Sequence, residues 1–216
     1  MGESFITIMN KKIARIITEM EKRSQYELKN YYKISHDERM LAITKDTGIF
    51  YNTLLKIQKP KRILEIGTST GYSTLWFADA VLDQNSKIFT IEQNPKKIKI
   101  ATKNFQKAGV SNIIEIRQGN AKEILNMMLI EFKKSKTKKY FDFVFIDADK
   151  EQYSFYFEVG LQMLKKNGII AADNIIYPKR FNKYIKKYLT YIGKKNNIQT
   201  IIVPIGNGQQ ISMKIK

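Results

Sequence analysis

From Lys61 onward the chain alternates short apolar runs with amphipathic segments, and no other feature limits its fold as much. Residues 62–66, 87–91, 113–117, 141–146 and 168–172 are short and apolar enough to be strands, while 72–82, 95–108, 120–133 and 152–165 carry helical periodicity. Strands and helices alternating at this spacing make βαβ units, which predicts an α/β fold built on a mostly parallel sheet with helices on both faces. Phe143-Val144-Phe145-Ile146 is continuously apolar, as a strand covered on both faces requires. After Pro178 the spacing predicts a basic amphipathic helix with Phe181, Tyr184, Ile185, Tyr188, Leu189 and Ile192 on one side. Two strands follow, at 200–204 and 210–215, joined through Gly206-Asn207-Gly208, where Asn-Gly is a hairpin signal.

Upstream, Met9, Ile13, Ile16, Ile17 and Met20 fall at helical spacing. A second helix is expected over 44–57, with Ile49, Phe50, Leu54, Leu55 and Ile57 as its apolar side and Pro60 as its stop. No repeat or linker interrupts the chain. The expectation is one domain over 1–216, with a helical cap at 1–58 and a Rossmann-like core at 61–216.

Composition removes several chemistries. The chain has no cysteine and a single histidine, His36, which excludes disulfides, thiol catalysis, zinc ribbons, iron–sulfur clusters and His-rich metal sites. No apolar run approaches the roughly 18 residues of a membrane span. The N-terminus is charged from Glu3 and lacks a secretory core, and Ile6 stands where myristoylation after Gly2 wants Ser or Thr. These features predict a soluble cytoplasmic protein without a membrane partner. The formal charge of +18 leaves two readings open: lysine enrichment by coding bias, or a polyanionic partner. Arginine is confined to Arg15, Arg23, Arg39, Arg62, Arg117 and Arg180, whereas nucleic-acid readers lean on it. The lysine-rich patch at 133–139 reads as a solvated loop.

The first strand-to-helix turn runs Leu64-Glu65-Ile66-Gly67-Thr68-Ser69-Thr70-Gly71-Tyr72-Ser73. A dinucleotide site needs a second glycine for close approach to pyrophosphate, and Ser69 occupies that place. A cofactor without phosphates still suits the turn. S-adenosylmethionine offers a carboxylate for the helix N-terminus near Ser73, and Glu92, ending the second strand, can accept from both ribose hydroxyls. The alternative is a plain Rossmann-like turn with an exposed acid. The fourth strand ends in Asp147-Ala148-Asp149-Lys150 and the fifth in Asp173-Asn174. Neighbouring strand ends line the crevice of an open α/β sheet. Asp147, Asp173 and Asn174 make a hard oxygen set for Mg²⁺, Mn²⁺ or Ca²⁺. The acids read alternatively as helix caps, and Lys150 either as a base beside the cation or as a solvated lysine at a helix start.

Taken together, 65–73, 147–150 and Asp173-Asn174 resemble the metal-dependent O-methyltransferases of the catechol and caffeoyl-coenzyme A type, and the archaeal and bacterial members most. The resemblance runs from about Leu41 to the C-terminus. It implies the class I methyltransferase sheet, seven-stranded with the last strand antiparallel, and a homodimer. It further implies that Glu65, Gly67, Ser73, Glu92, Ala121 and Asp147 touch S-adenosylmethionine, with Ile43 in the stretch covering it. Asp147, Asp173 and Asn174 would bind the metal, with Asp147 and Lys150 catalytic and Lys150 the general base. Three departures stand out. Asn120 precedes Ala121 where the family often has Asp or Pro, 41–48 matches the covering stretch only loosely, and Ile175-Ile176-Tyr177-Pro178-Lys179 replaces the longer substrate loop of the plant enzymes. The substrate implied is a small molecule with vicinal oxygens, such as a catechol. The alternative is 5-hydroxyuridine of transfer RNA, whose O4 and O5 are also adjacent and whose phosphates the basic helix after Pro178 would hold.

Overall fold

The computed structural model describes residues 9–216, apart from the side chains of Tyr31 and His36. The readings made on Gly2, Glu3 and Ile6 lie outside the described residues. Seven strands form one sheet: β1 (Arg62–Ile66), β2 (Lys87–Glu92), β3 (Ile114–Gln118), β4 (Phe141–Ile146), β5 (Leu164–Ala172), β6 (Ile198–Val203) and β7 (Gln209–Lys214). Their order is β3-β2-β1-β4-β5-β7-β6. β1 to β5 pair in parallel, and β7 runs antiparallel to both β5 and β6. This is the class I methyltransferase sheet that the sequence leads one to expect. The order reverses between β1 and β4, which makes their carboxyl ends the switch point where such sheets bind ligands.

Among the described residues seven α-helices accompany it: α1 (Lys11–Lys29), α2 (Lys45–Gln58), α3 (Tyr72–Val81), α4 (Pro95–Ala108), α5 (Ala121–Lys134), α6 (Tyr153–Met163) and α7 (Asn182–Ile192). The continuous apolar strands serve two cores, because successive side chains point to opposite faces. Ile63, Ile88, Phe143 and Phe145 join α1 to α4 in one cluster. Leu64, Ile66, Val144 and Ile146 join α5 to α7 in the other. On α7 the expected side is the inward one, with Ile185, Tyr188 and Ile192 buried. No helix among the described residues is long and apolar enough to cross a membrane.

Two elements differ from expectation. The innermost face of α2 is Thr47, Gly48, Tyr51, Asn52 and Leu55; of the expected apolar side Leu55 is buried, Ile49, Phe50 and Leu54 pack half-buried against the core, and Ile57 is 75% exposed. Hydrogen bonds decide this rotation: Asn52 Nδ2 donates to Trp76 O at 2.8 Å and to Asp79 Oδ2 at 2.9 Å. Gly48 allows the close approach, since a Cβ there would lie 2.4 Å from Trp76 Nε1. The second difference is at β5, which begins at Leu164 rather than 168. Leu164 pairs with Phe141, and the register then breaks until Ile169 pairs with Phe143.

Candidate active site

The turn after β1 is shaped by what must pass close to it. Gly67 has φ +104°, and a Cβ would sit 2.1 Å from Asp147 O, so glycine alone lets the ends of β1 and β4 touch. Gly67 N and Thr68 N both donate to Ile91 O, at 3.1 and 3.0 Å, locking the turn to β2. Ser69 Oγ donates to Met40 O and ties the turn to the segment before α2.

Glu65 is fully buried, and its carboxyl accepts from Ser73 Oγ at 2.5 Å, Thr74 Oγ1 at 2.5 Å and Thr90 Oγ1 at 2.6 Å. Burial pushes its pKa up to about 7, against the three hydroxyls that favour the anion. Glu92 is held differently. Its Oε2 accepts from Ser69 N at 2.8 Å, and its Oε1 from Gln93 N at 3.0 Å and Asn94 N at 2.9 Å. Three backbone donors thus fix the carboxylate, and acceptor capacity remains on Oε2. Ala121 opens α5 behind Asn120, whose side chain accepts from Lys122 N at 3.0 Å, the capping that Asp also performs.

A cavity of about 1020 Å³ crosses the carboxyl ends of the strands. Ile43, Gly67, Ser73, Glu92 and Ala121 line one part of it, and Asp147, Lys150 and Asn174 another. Glu65 and Asp173 do not line it; they stand behind Ser73 and Asn174 and are 0% and 1% exposed.

The acidic part follows from strand register. Ile146 pairs with Ala172, so Asp147 and Asp173 leave parallel neighbours at one level. Asp173 N donates to Ile146 O at 3.1 Å, and Asp147 N to Ile66 O at 2.9 Å. Burial and the like charge of Asp147 push the Asp173 carboxyl up to about 7. The capping alternative falls to another residue: Asp149 caps the short 3-10 turn Lys150–Gln152 by accepting from Glu151 N at 3.1 Å. Lys150 is not a solvated lysine. It is 9% exposed, its Nζ donates to Asp147 Oδ1 at 2.8 Å, and the rings of Tyr153 and Phe181 lie 5.2 and 5.7 Å away. Two carboxylates at neighbouring strand ends, with Asn174 next along the chain and lining the cavity, are the kind of oxygen donors a hard divalent cation takes.

Two residues escape the sequence reading. Lys97 lines the cavity at 8% exposure, and burial lowers its pKa while Glu92 and Asp37 raise it. Its signal was a cation in the first turn of α4, the wrong sign for that end of a helix. Gln209, fully buried at the start of β7, touches Asp173 and has no local sequence signal.

Sheet order and a cavity at the switch point define a class I methyltransferase architecture. The sequence pattern of the O-methyltransferase family matches residues 18–215, and the chain belongs to that family. It is 38% identical over 136 residues to a catechol O-methyltransferase of Niastella koreensis, a match covering 63% of this chain and 59% of that protein. It is 32% identical over 197 residues to a caffeoyl-CoA O-methyltransferase of Petroselinum crispum, covering 83% and 79%. In fold it is similar to an O-methyltransferase from Bacillus cereus solved with SAH, with a TM-score of 0.74 and 24% identity over 93% of this chain and 90% of that one.

Proposed function

We propose that this protein uses S-adenosylmethionine and a divalent cation to methylate a hydroxyl of a small, catechol-like molecule with vicinal oxygens. The observation that carries the reading is that Asp147, with Lys150 on it, lines the cavity that Glu92 also lines, while Asp173 follows the neighbouring strand at the same level just beneath the cavity wall. The names of the relatives favour a small molecule over transfer RNA.

At the nucleoside end, Glu92 would accept from the ribose hydroxyls, and the first backbone amides of α3, that of Ser73 among them, would receive the amino-acid carboxylate. Glu65 acts from behind, holding the Ser73 hydroxyl. Ile43 covers this end, and Ala121 packs beside the adenine. Asp147, Asp173 and Asn174 would hold the cation, which supplies positive charge that lowers the pKa of a chelated hydroxyl. Lys150, whose Nζ lies 2.8 Å from Asp147 Oδ1, is the side chain placed to take up the hydroxyl proton once its own proton has been released. S-adenosylmethionine would supply a methyl carried on a sulfonium, and its transfer to the substrate oxygen would break one C–S bond and form one C–O bond. Holding both reactants in line supplies up to about 7–11 kcal/mol of the barrier.

The test is catechol methylation with and without chelator. Turnover should need Mg²⁺ or Mn²⁺ and vanish in Asp147→Ala and Asp173→Ala while SAH binding persists at least in part. Full turnover in excess chelator rejects the metal reading.

A further inference from the structure

Behind the acid pair lies a buried polar chain that the reaction as described does not use. Gln209 donates through Nε2 to Asp173 Oδ1 and to Ile205 O, the latter at 3.3 Å, and Tyr51 Oη donates to Gln209 Oε1 at 2.9 Å. Tyr51 and Gln209 are 0% exposed and Asp173 1%. The Tyr51 ring lies among Phe77, Phe143 and Phe145, with centroids 6.2, 5.7 and 5.0 Å away. In such surroundings an aliphatic side chain packs without any desolvation cost, whereas an amide is tolerated only if its donors and acceptor are all matched. They are matched here, from three separate parts of the chain: α2, the Ile205 carbonyl before β7, and the end of β5.

We infer that Gln209 is a positioning residue for Asp173, and that Tyr51 sets the orientation of its amide. The inference rests on the proposed metal site. Because the amide oxygen is taken by the Tyr51 hydroxyl, the nitrogen must face Asp173. Gln209 is the side chain that donates to this carboxylate among the described residues. It occupies Oδ1 with a neutral donor and, beside the backbone hydrogen bond from Asn174, restrains rotation of the carboxylate. It adds no charge, so the attraction of the two acids for a cation is undiminished. Partners of this kind orient metal ligands and tune affinity.

The experiment is Mn²⁺ binding by electron paramagnetic resonance and calorimetry, on wild type, Gln209→Met, Tyr51→Phe and the double variant, with SAH affinity measured metal-free in each. Gln209→Met should weaken Mn²⁺ about 10- to 100-fold and leave SAH affinity unchanged. Tyr51→Phe should weaken Mn²⁺ by less, and add nothing in the Gln209→Met background, because Tyr51 acts through the amide. Mn²⁺ affinity unchanged in Gln209→Met overturns the inference, as does a Tyr51→Phe loss that persists in full in the double variant. If Gln209→Met does not fold, Tyr51→Phe decides alone, and unchanged Mn²⁺ affinity there overturns the inference. Wild-type protein that binds no Mn²⁺ overturns the metal site itself, which separates the two failures.

Discussion

Glu65→Gln turns the buried carboxyl into a measurable pH dependence. The group titrates near 7 in the folded chain against an ordinary value of 4.5. At about 1.4 kcal/mol per unit of pKa, that difference is worth on the order of 3 kcal/mol, and full burial leaves no solvent screening to discount. The folded value is raised, so the stability this group contributes is complete below 4.5 and is lost as pH rises through about 7. Glutamine keeps the shape and stays neutral, and the hydroxyls of Ser73, Thr74 and Thr90 can each donate or accept toward it. Between pH 5 and pH 8 the wild type should therefore lose roughly 2.5 kcal/mol that the variant keeps. With a urea slope of about 2–3 kcal/mol per molar, the midpoints should diverge by about 1 M. The assay is urea unfolding of both proteins across that range in chelator, so that Asp173 contributes equally to each. Parallel midpoints at every pH would refute the burial argument for Glu65.

Glu92→Ala should weaken SAH binding by about 1.5–3 kcal/mol, the worth of hydrogen bonds to a charged group; an unchanged calorimetric affinity in folded protein removes Glu92 from the nucleoside site. Lys150→Met should lower kcat by about 10²- to 10⁴-fold with Mn²⁺ and SAH still bound, and a normal kcat would leave the base unassigned. Lysine-to-glutamine changes at Lys183, Lys186 and Lys187, all exposed on α7, should leave catechol turnover untouched. A steep salt dependence of transfer RNA binding that these changes flatten would revive the RNA substrate.

The elements legible in the sequence are those whose burial is apolar. β1, β4 and α4 begin and end where periodicity places them. α2 is turned from its expected apolar side because its innermost face is chosen by Asn52, Gly48 and Tyr51, through partners on α3 and β7. Within the site, strand-end acids reveal which end of the sheet matters. Whether an acid meets the cavity or the layer beneath depends on groups arriving from elsewhere. Glu65 is drawn inward by Ser73, Thr74 and Thr90, and Glu92 is held at the cavity by backbone amides. Tyr51 and Gln209 lie 158 residues apart, so no local pattern links them.

The missing side chain at Gly67 sets a mechanical tolerance. Its backbone rests against the carbonyl of Asp147, so the loop and the residue to which the proposed function gives the methyl donor and the acceptor share one rigid datum. Donor and acceptor sites are registered to each other by main chain, which cannot change rotamer, rather than through a stack of side chains whose errors add. In the proposed displacement, where about 1 Å of misplacement costs on the order of 10²-fold in rate, that seam would let the cavity wall carrying Tyr177 and Phe181 vary while the line of attack stays fixed.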